Sequence, residues 1–147
     1  MAFKLYKGPM DGGGSVSTER FIASGAVAIN MPVYLAAGAS GAELGKVAQL
    51  AGGSSTTELV YGVAIHAAAD GEEVLVIPAT PGTVWIVDAA ANTNVTSVAQ
   101  DNYLASTTLL LTVGASTNQG RKCSIIGKLG TAAARQYLCR FANTYGQ

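Results

Sequence analysis

Charge is what this sequence has least of. Aspartate, glutamate, lysine and arginine make up 12% of the 147 residues, against roughly 25% in an ordinary soluble domain. Nine basic and nine acidic side chains cancel. Neither sign gathers into a cluster, so nothing is in place to neutralise a phosphate backbone or an anionic membrane. Nucleic acid and membrane are therefore not expected as partners. Histidine occurs once and cysteine twice, which excludes histidine-rich metal sites, paired zinc ligands and a disulfide framework. Cys123 and Cys139 read as buried thiols. No apolar run has the length needed to cross a bilayer. The opening MAFKLYKGPMDGGGS lacks an apolar stretch behind its positive charges and lacks a small-residue cleavage pattern. No signal peptide is expected, and the chain should be made in a cytoplasm and stay soluble.

Catalytic motifs are also missing. A nucleophile elbow needs Gly-x-Ser-x-Gly, and the nearest string, Gly38-Ala39-Ser40-Gly41, has the wrong spacing. Gly41-Ala42-Glu43-Leu44-Gly45-Lys46 is one residue short of a phosphate loop and is followed by Val47. Gly12-Gly13-Gly14 follows no substantial strand and opens no helix, so it does not fit a dinucleotide site. His66, the sole group with an ordinary titration near neutrality, ends an apolar strand beside Ala67 to Ala69 and is expected to face a loop or an interface. Glu72 and Glu73 are adjacent, and strand alternation sends them to opposite faces. Trp85 reads as core. Asn94-Val95-Thr96 matches a glycosylation acceptor, which carries no weight without secretion. No catalytic residue, cofactor or metal is expected.

What the chain does have is apolar surface and punctuation. Its length suits one domain, which buries roughly 70% of the surface exposed by the unfolded chain. Hydrophobic residues reach 49%, and a surface so poor in charge implies cover by partners. Short runs of Val, Ile, Leu and Tyr recur between Gly, Ser, Asn and Asp, the pattern of a mainly β sandwich or barrel. Strands are predicted near Phe21 to Ile29, Pro32 to Ala36, Leu59 to His66, Glu73 to Ile77, Thr83 to Asp88, Asn102 to Ala105, Thr108 to Val113, Cys123 to Leu129 and Gln136 to Phe141. A turn or two of helix is predicted over Glu43 to Leu50, where Leu44, Val47 and Ala48 fall at helical spacing, and over Ala89 to Ala99.

Residues 1–14 read as an extended arm and 15–147 as one β domain. The arm alternates apolar residues before Gly8-Pro9 and the triple glycine, a hinge expected to keep it off its own core. Phe3, Lys4, Leu5, Tyr6 and Lys7 are thus the candidate contacts with another subunit or a partner protein. A weak internal repeat lays Pro32 to Ala79 over Asn102 to Ala142: each half starts with Tyr-Leu-Ala, at Tyr34 and at Tyr103, and ends in a hairpin whose first strand holds a central glycine, Gly62 or Gly127. Such a glycine marks a bulge or a close backbone approach. If the last hairpin turns near Thr131, Cys123 lies opposite Cys139, with Ile125 and Tyr137 as the next pair.

Pro32-Val33-Tyr34-Leu35, Gly45-Lys46-Val47, Tyr61-Gly62-Val63-Ala64, the hairpin from Asp70 to Val76, and Gly82-Thr83-Val84-Trp85 together resemble the head-decoration, or capsid cement, proteins of tailed phages. The resemblance covers roughly residues 20–142. It implies a β-barrel or tulip-like domain with little helix and an extended N-terminal arm. Such a domain binds the outer surface of an expanded head as a homo-oligomer, usually a trimer, and cements neighbouring major capsid subunits. The expected place is the virion, with assembly in the host cytoplasm. The Ala/Asn/Thr-rich stretch Ala89 to Gln100 departs from that pattern. A second reading is another virion part, a tail-tube or head-fibre domain, although a tube subunit would carry a long inserted hairpin that is not identifiable. A third is a small β binding module of a bacterial cell.

Overall fold

A computed structural model describes residues 3–7, 17–36, 41, 44–50, 59–80, 82–88, 102–104, 111–113, 123–129 and 136–141. The elements among them are all strands: β1 (Lys4–Lys7), β2 (Glu19–Ala23), β3 (Pro32–Leu35), β4 (Lys46–Gln49), β5 (Gly62–Ala64), β6 (Glu73–Pro78), β7 (Val84–Asp88), β8 (Asn102–Leu104), β9 (Leu111–Val113), β10 (Cys123–Leu129) and β11 (Gln136–Phe141). Five of them close into a barrel in the order β2-β4-β3-β5-β6, and six form a sheet in the order β1-β7-β11-β10-β8-β9. The mainly β, barrel-type expectation holds.

The barrel follows from the alternation of small apolar residues. Along β6, Glu73 is exposed while Val74 and Val76 are fully buried, so every second side chain points inward. Ala23, Val33, Val47, Ala64, Val74 and Val76 fill the interior with Val27 and Ala68. Side chains this small suit five strands, because barrel width falls with strand number. Closure depends on β4, which runs parallel to β2 (Ile22 with Lys46, Ala23 with Val47) and antiparallel to β3. This corrects the helix predicted over Glu43 to Leu50. Gly45 holds a left-handed φ of 83° and turns the chain into β4. Val47 is then buried while Leu44 is left 81% exposed, and the closing ladder outweighs the local helical spacing. The other predicted helix, Ala89 to Ala99, lies outside the described residues.

A second core joins the sheet to the outside of the barrel. From the sheet come Phe3, Trp85, Val87, Ile125, Tyr137, Cys139 and Phe141; from the barrel side come Met31, Leu50, Val60, Val63 and Ala79, with Tyr34 and Ile77 packed against them. Phe141 stacks on Phe3 with ring centroids 5.1 Å apart and meets Trp85 edge-on at 5.8 Å. Such pairs add about 0.5–1.5 kcal/mol beyond area burial. Thr83, itself buried, donates its hydroxyl to the Thr80 carbonyl at 2.7 Å and accepts the Trp85 indole N–H at 3.2 Å.

Residues 3–7 do not stay off the core. β1 pairs antiparallel with β7, Lys4 opposite Ile86 and Leu5 opposite Trp85, with a bulge before Lys7. Phe3 is 1% exposed, and its amide donates to the Asn30 carbonyl at 2.9 Å. The expected hinge effect is overruled by burial of an aromatic side chain, about 1.5–3 kcal/mol for a fully buried one.

The repeat seen in the sequence is present in the topology. In the barrel β3 lies between β4 and β5, and β6 between β5 and β2; in the sheet β8 lies between β9 and β10, and β11 between β10 and β7. The predicted cysteine register is two residues off. Cys139 faces Ile125, Cys123 faces Phe141, and a bulge falls between Ile125 and Gly127. The pair nearest the connection, Leu129 with Gln136, is three residues off the predicted register, and the bulge takes back one of the three.

Candidate interaction surfaces

The side chains screened for chemistry serve the backbone. His66 Nε2 accepts the Leu75 amide at 3.1 Å, and its Nδ1 lies 2.9 Å from the Ala67 carbonyl. A carbonyl only accepts, so Nδ1 carries the proton and the ring is a neutral brace across the β5–β6 hairpin. Glu72 accepts the Ala69 amide at 2.9 Å, and Asp70 accepts the Gly25 amide at 2.8 Å. Glu73 meets Arg20 at 3.4 Å on the surface, a pair worth about 0–1 kcal/mol. Among the described residues no three His, Cys, Asp or Glu side chains group as metal ligands. Gly12 to Gly14, Gly38 to Ser40 and Asn94 to Thr96 lie outside the described residues.

One polar pair is distinctive. Tyr61, before β5, donates its hydroxyl to the Glu19 carboxylate of β2 and packs edge-on against Phe21 at 5.1 Å. Burial of the ring, then the hydrogen bond to Glu19 and its negative charge, push the phenol from its ordinary 10.0 up to about 12. The pair is a clasp on the barrel wall, since a phenol held neutral is neither an acid nor a nucleophile near pH 7.

What remains is surface for contact. At one end of the barrel an open hollow of about 660 Å³ is lined by alanines of two turns, Ala26, Ala28, Ala67 and Ala69 among them, with Gln49 and Glu72. Its polar side chains are engaged with backbone, Gln49 accepting the Ala28 amide at 2.8 Å. A hollow lined with methyl groups suits an apolar protrusion rather than a cofactor. On the outer wall Ile22 and Leu44 are exposed at the same end of the β2–β4 ladder, where the Gly45 carbonyl accepts the Ile22 amide at 3.4 Å. Ile29, Ile65 and Ile126 are exposed elsewhere.

Of the five residues expected to make contacts, Phe3 is interior and Leu5 is half-buried against the same core. Lys4, Tyr6 and Lys7 occupy positions along β1. Sequence reasoning missed Ile22 and Leu44. The signal for Ile22 was its place two residues after Arg20, on the outward phase of β2, where a polar residue is the usual occupant.

No family model matches the chain, and no curated protein matches it. A solved structure does: the head fiber gp8.5 N base of bacteriophage phi29, with a TM-score of 0.53 over 89% of this chain and 98% of that one. The likeness is one of fold. Sequence identity is 10%, too low to transfer any residue's role. Nearly the whole of that phage domain is nevertheless matched, so the likeness takes in barrel and sheet together.

Proposed function

We propose that this chain is a structural protein of a tailed-phage head that attaches to the outer surface of the capsid and acts through protein contacts alone, without catalysis. The observation that carries this reading is the likeness in fold to the phi29 head-fibre base, matched over 98% of its length. It comes in addition to the independent resemblance of the sequence to head-decoration proteins. Low charge and exposed Ile22, Leu44 and Ile65 agree with a surface meant to be covered. Many copies on one shell turn modest contacts into firm attachment.

Two finer readings separate by experiment. As a cement protein, the chain binds neighbouring major capsid subunits, as a trimer, and strengthens the shell. As a fibre base, it anchors an appendage, which the fold likeness favours. Expanded heads assembled from the major capsid protein of the same phage, incubated with the purified chain and sedimented, should carry it to the pellet. Bound cement raises the temperature at which the shells come apart, whereas a fibre base leaves it unchanged. Absence from the pellet at saturating concentration would overturn the capsid reading.

A further inference from the structure

The two halves of the fold share one strand order but differ at a single seat. In the barrel, the edge of β2 away from β6 is taken by β4 of the same half. In the sheet, the equivalent edge of β7 away from β11 is taken by β1, from the far end of the chain, with Lys4 opposite Ile86. β9, the counterpart of β4, has only β8 as strand neighbour among the described residues. The second half is thus completed by a strand foreign to it.

We infer that this seat on β7 is exchangeable, and that in the assembled protein it receives β1 of a second copy. The inference concerns contacts between copies and stands whatever surface they dock on. Three observations carry it. Among the described residues β1 has one strand neighbour, and its ladder to β7 is short and bulged. Its hold comes from Phe3, seated against Phe141, and from Leu5, a plug a neighbour can insert equally well. Nine residues, 8–16, lie between β1 and the next described residue, and nine residues can span up to about 30 Å.

Every contact β1 makes within its own chain is available between chains, so the balance is set by concentration. A tether of this length supplies an effective concentration on the order of millimolar, and copies held close together at a comparable concentration compete with it.

The test pairs Lys4→Cys in one chain with Ile86→Cys in an isotope-labelled second chain, both carrying Cys123→Ser. The two are refolded together over a range of concentrations, oxidised and mapped by mass spectrometry. The expected result is a 4–86 disulfide between labelled and unlabelled chains, rising with concentration and absent when either variant is refolded alone. An internal 4–86 link in the double variant, with no link between chains at any concentration, would overturn the inference. Should a cysteine variant lose its far-ultraviolet β signal, the unmodified chain refolded with an excess of fluorescent peptide of residues 1–10 decides instead. Uptake of that peptide, abolished by Phe3→Ala in it, supports exchange, and no uptake refutes it.

Discussion

The barrel and the sheet use the same order of strands and reach opposite solutions. Inside the barrel the buried side chains are alanines and valines, small enough for five strands to close on themselves. On the buried face of the sheet stand Trp85, Tyr137, Phe141, Ile125 and the added Phe3. The second set, with these larger side chains, lies open and packs its aromatic face on the outside of the first. At constant strand order, closure goes with small buried side chains and opening with large ones. The open half then needs β1 at one edge, which is where the further contact is inferred.

The comparison breaks most readily at the aromatic face. Phe141→Ala empties the space between Phe3 and Trp85 and should cost about 4 kcal/mol, measured by chemical denaturation. Amide exchange should accelerate first in β1, β7 and β11, while β3 and β6 remain protected.

The paired glycines sharpen it next. In the sequence Gly62 and Gly127 look equivalent, yet a Cβ at Gly62 would stand 2.2 Å from the Ile77 carbonyl oxygen, whereas one at Gly127 would meet Leu138 Cδ1 at an ordinary 3.5 Å. Gly62→Ala should therefore cost about 3 kcal/mol or more by forcing β5 and β6 apart. Gly127→Ala should stay within about 0.5 kcal/mol. Equal losses would mean that the two hairpins are packed alike and that closure is not what sets them apart.

The same residues tell how far the sequence could be read. Gly62 marks a close approach and Gly127 adjoins a bulge; a glycine within a strand announces one of the two but not which, because the difference lies on the neighbouring strand. β3, β6, β7, β8, β10 and β11 are legible because β-branched and aromatic runs there coincide with their ladders. β4 was not, since its reason to be extended is the parallel pairing with β2. Nor was the docking of β1: Phe3 and Leu5 gave the phase, but their partners sit about 80 residues away along the chain. The contact surface was hardest, because Ile22 and Leu44 look like core residues until the strands are placed.

Thr83 tests how the sheet is tied to its turn. Its hydroxyl serves Trp85 and the Thr80 carbonyl at once. Thr83→Val keeps the shape and leaves the buried indole N–H without that acceptor, a loss of about 2 kcal/mol. Trp85 is the single tryptophan, so its fluorescence reports the change directly, and an unaltered emission maximum and stability would show that the indole finds another acceptor.

The smallest effect belongs to the barrel wall and depends on pH. In the folded chain the Tyr61 phenol is raised to about 12, by burial first and by Glu19 second, whereas in the unfolded chain it titrates at its ordinary value near 10. A raised pKa means that folding favours the protonated phenol, so its contribution is fully present below pH 10 and disappears as pH rises from about 10 to about 12. At neutral pH Tyr61→Phe removes the hydrogen bond to Glu19 and, at this partly exposed site, should cost about 0.5–1 kcal/mol. Above pH 10 the wild type should lose stability faster than the variant until the two denaturation midpoints converge. The same pair of proteins, titrated by tyrosinate absorbance, should differ by one phenol ionising later than the rest. Parallel stability curves from pH 8 to pH 12 would show that the clasp between β2 and the strand entering β5 contributes nothing to keeping the barrel closed.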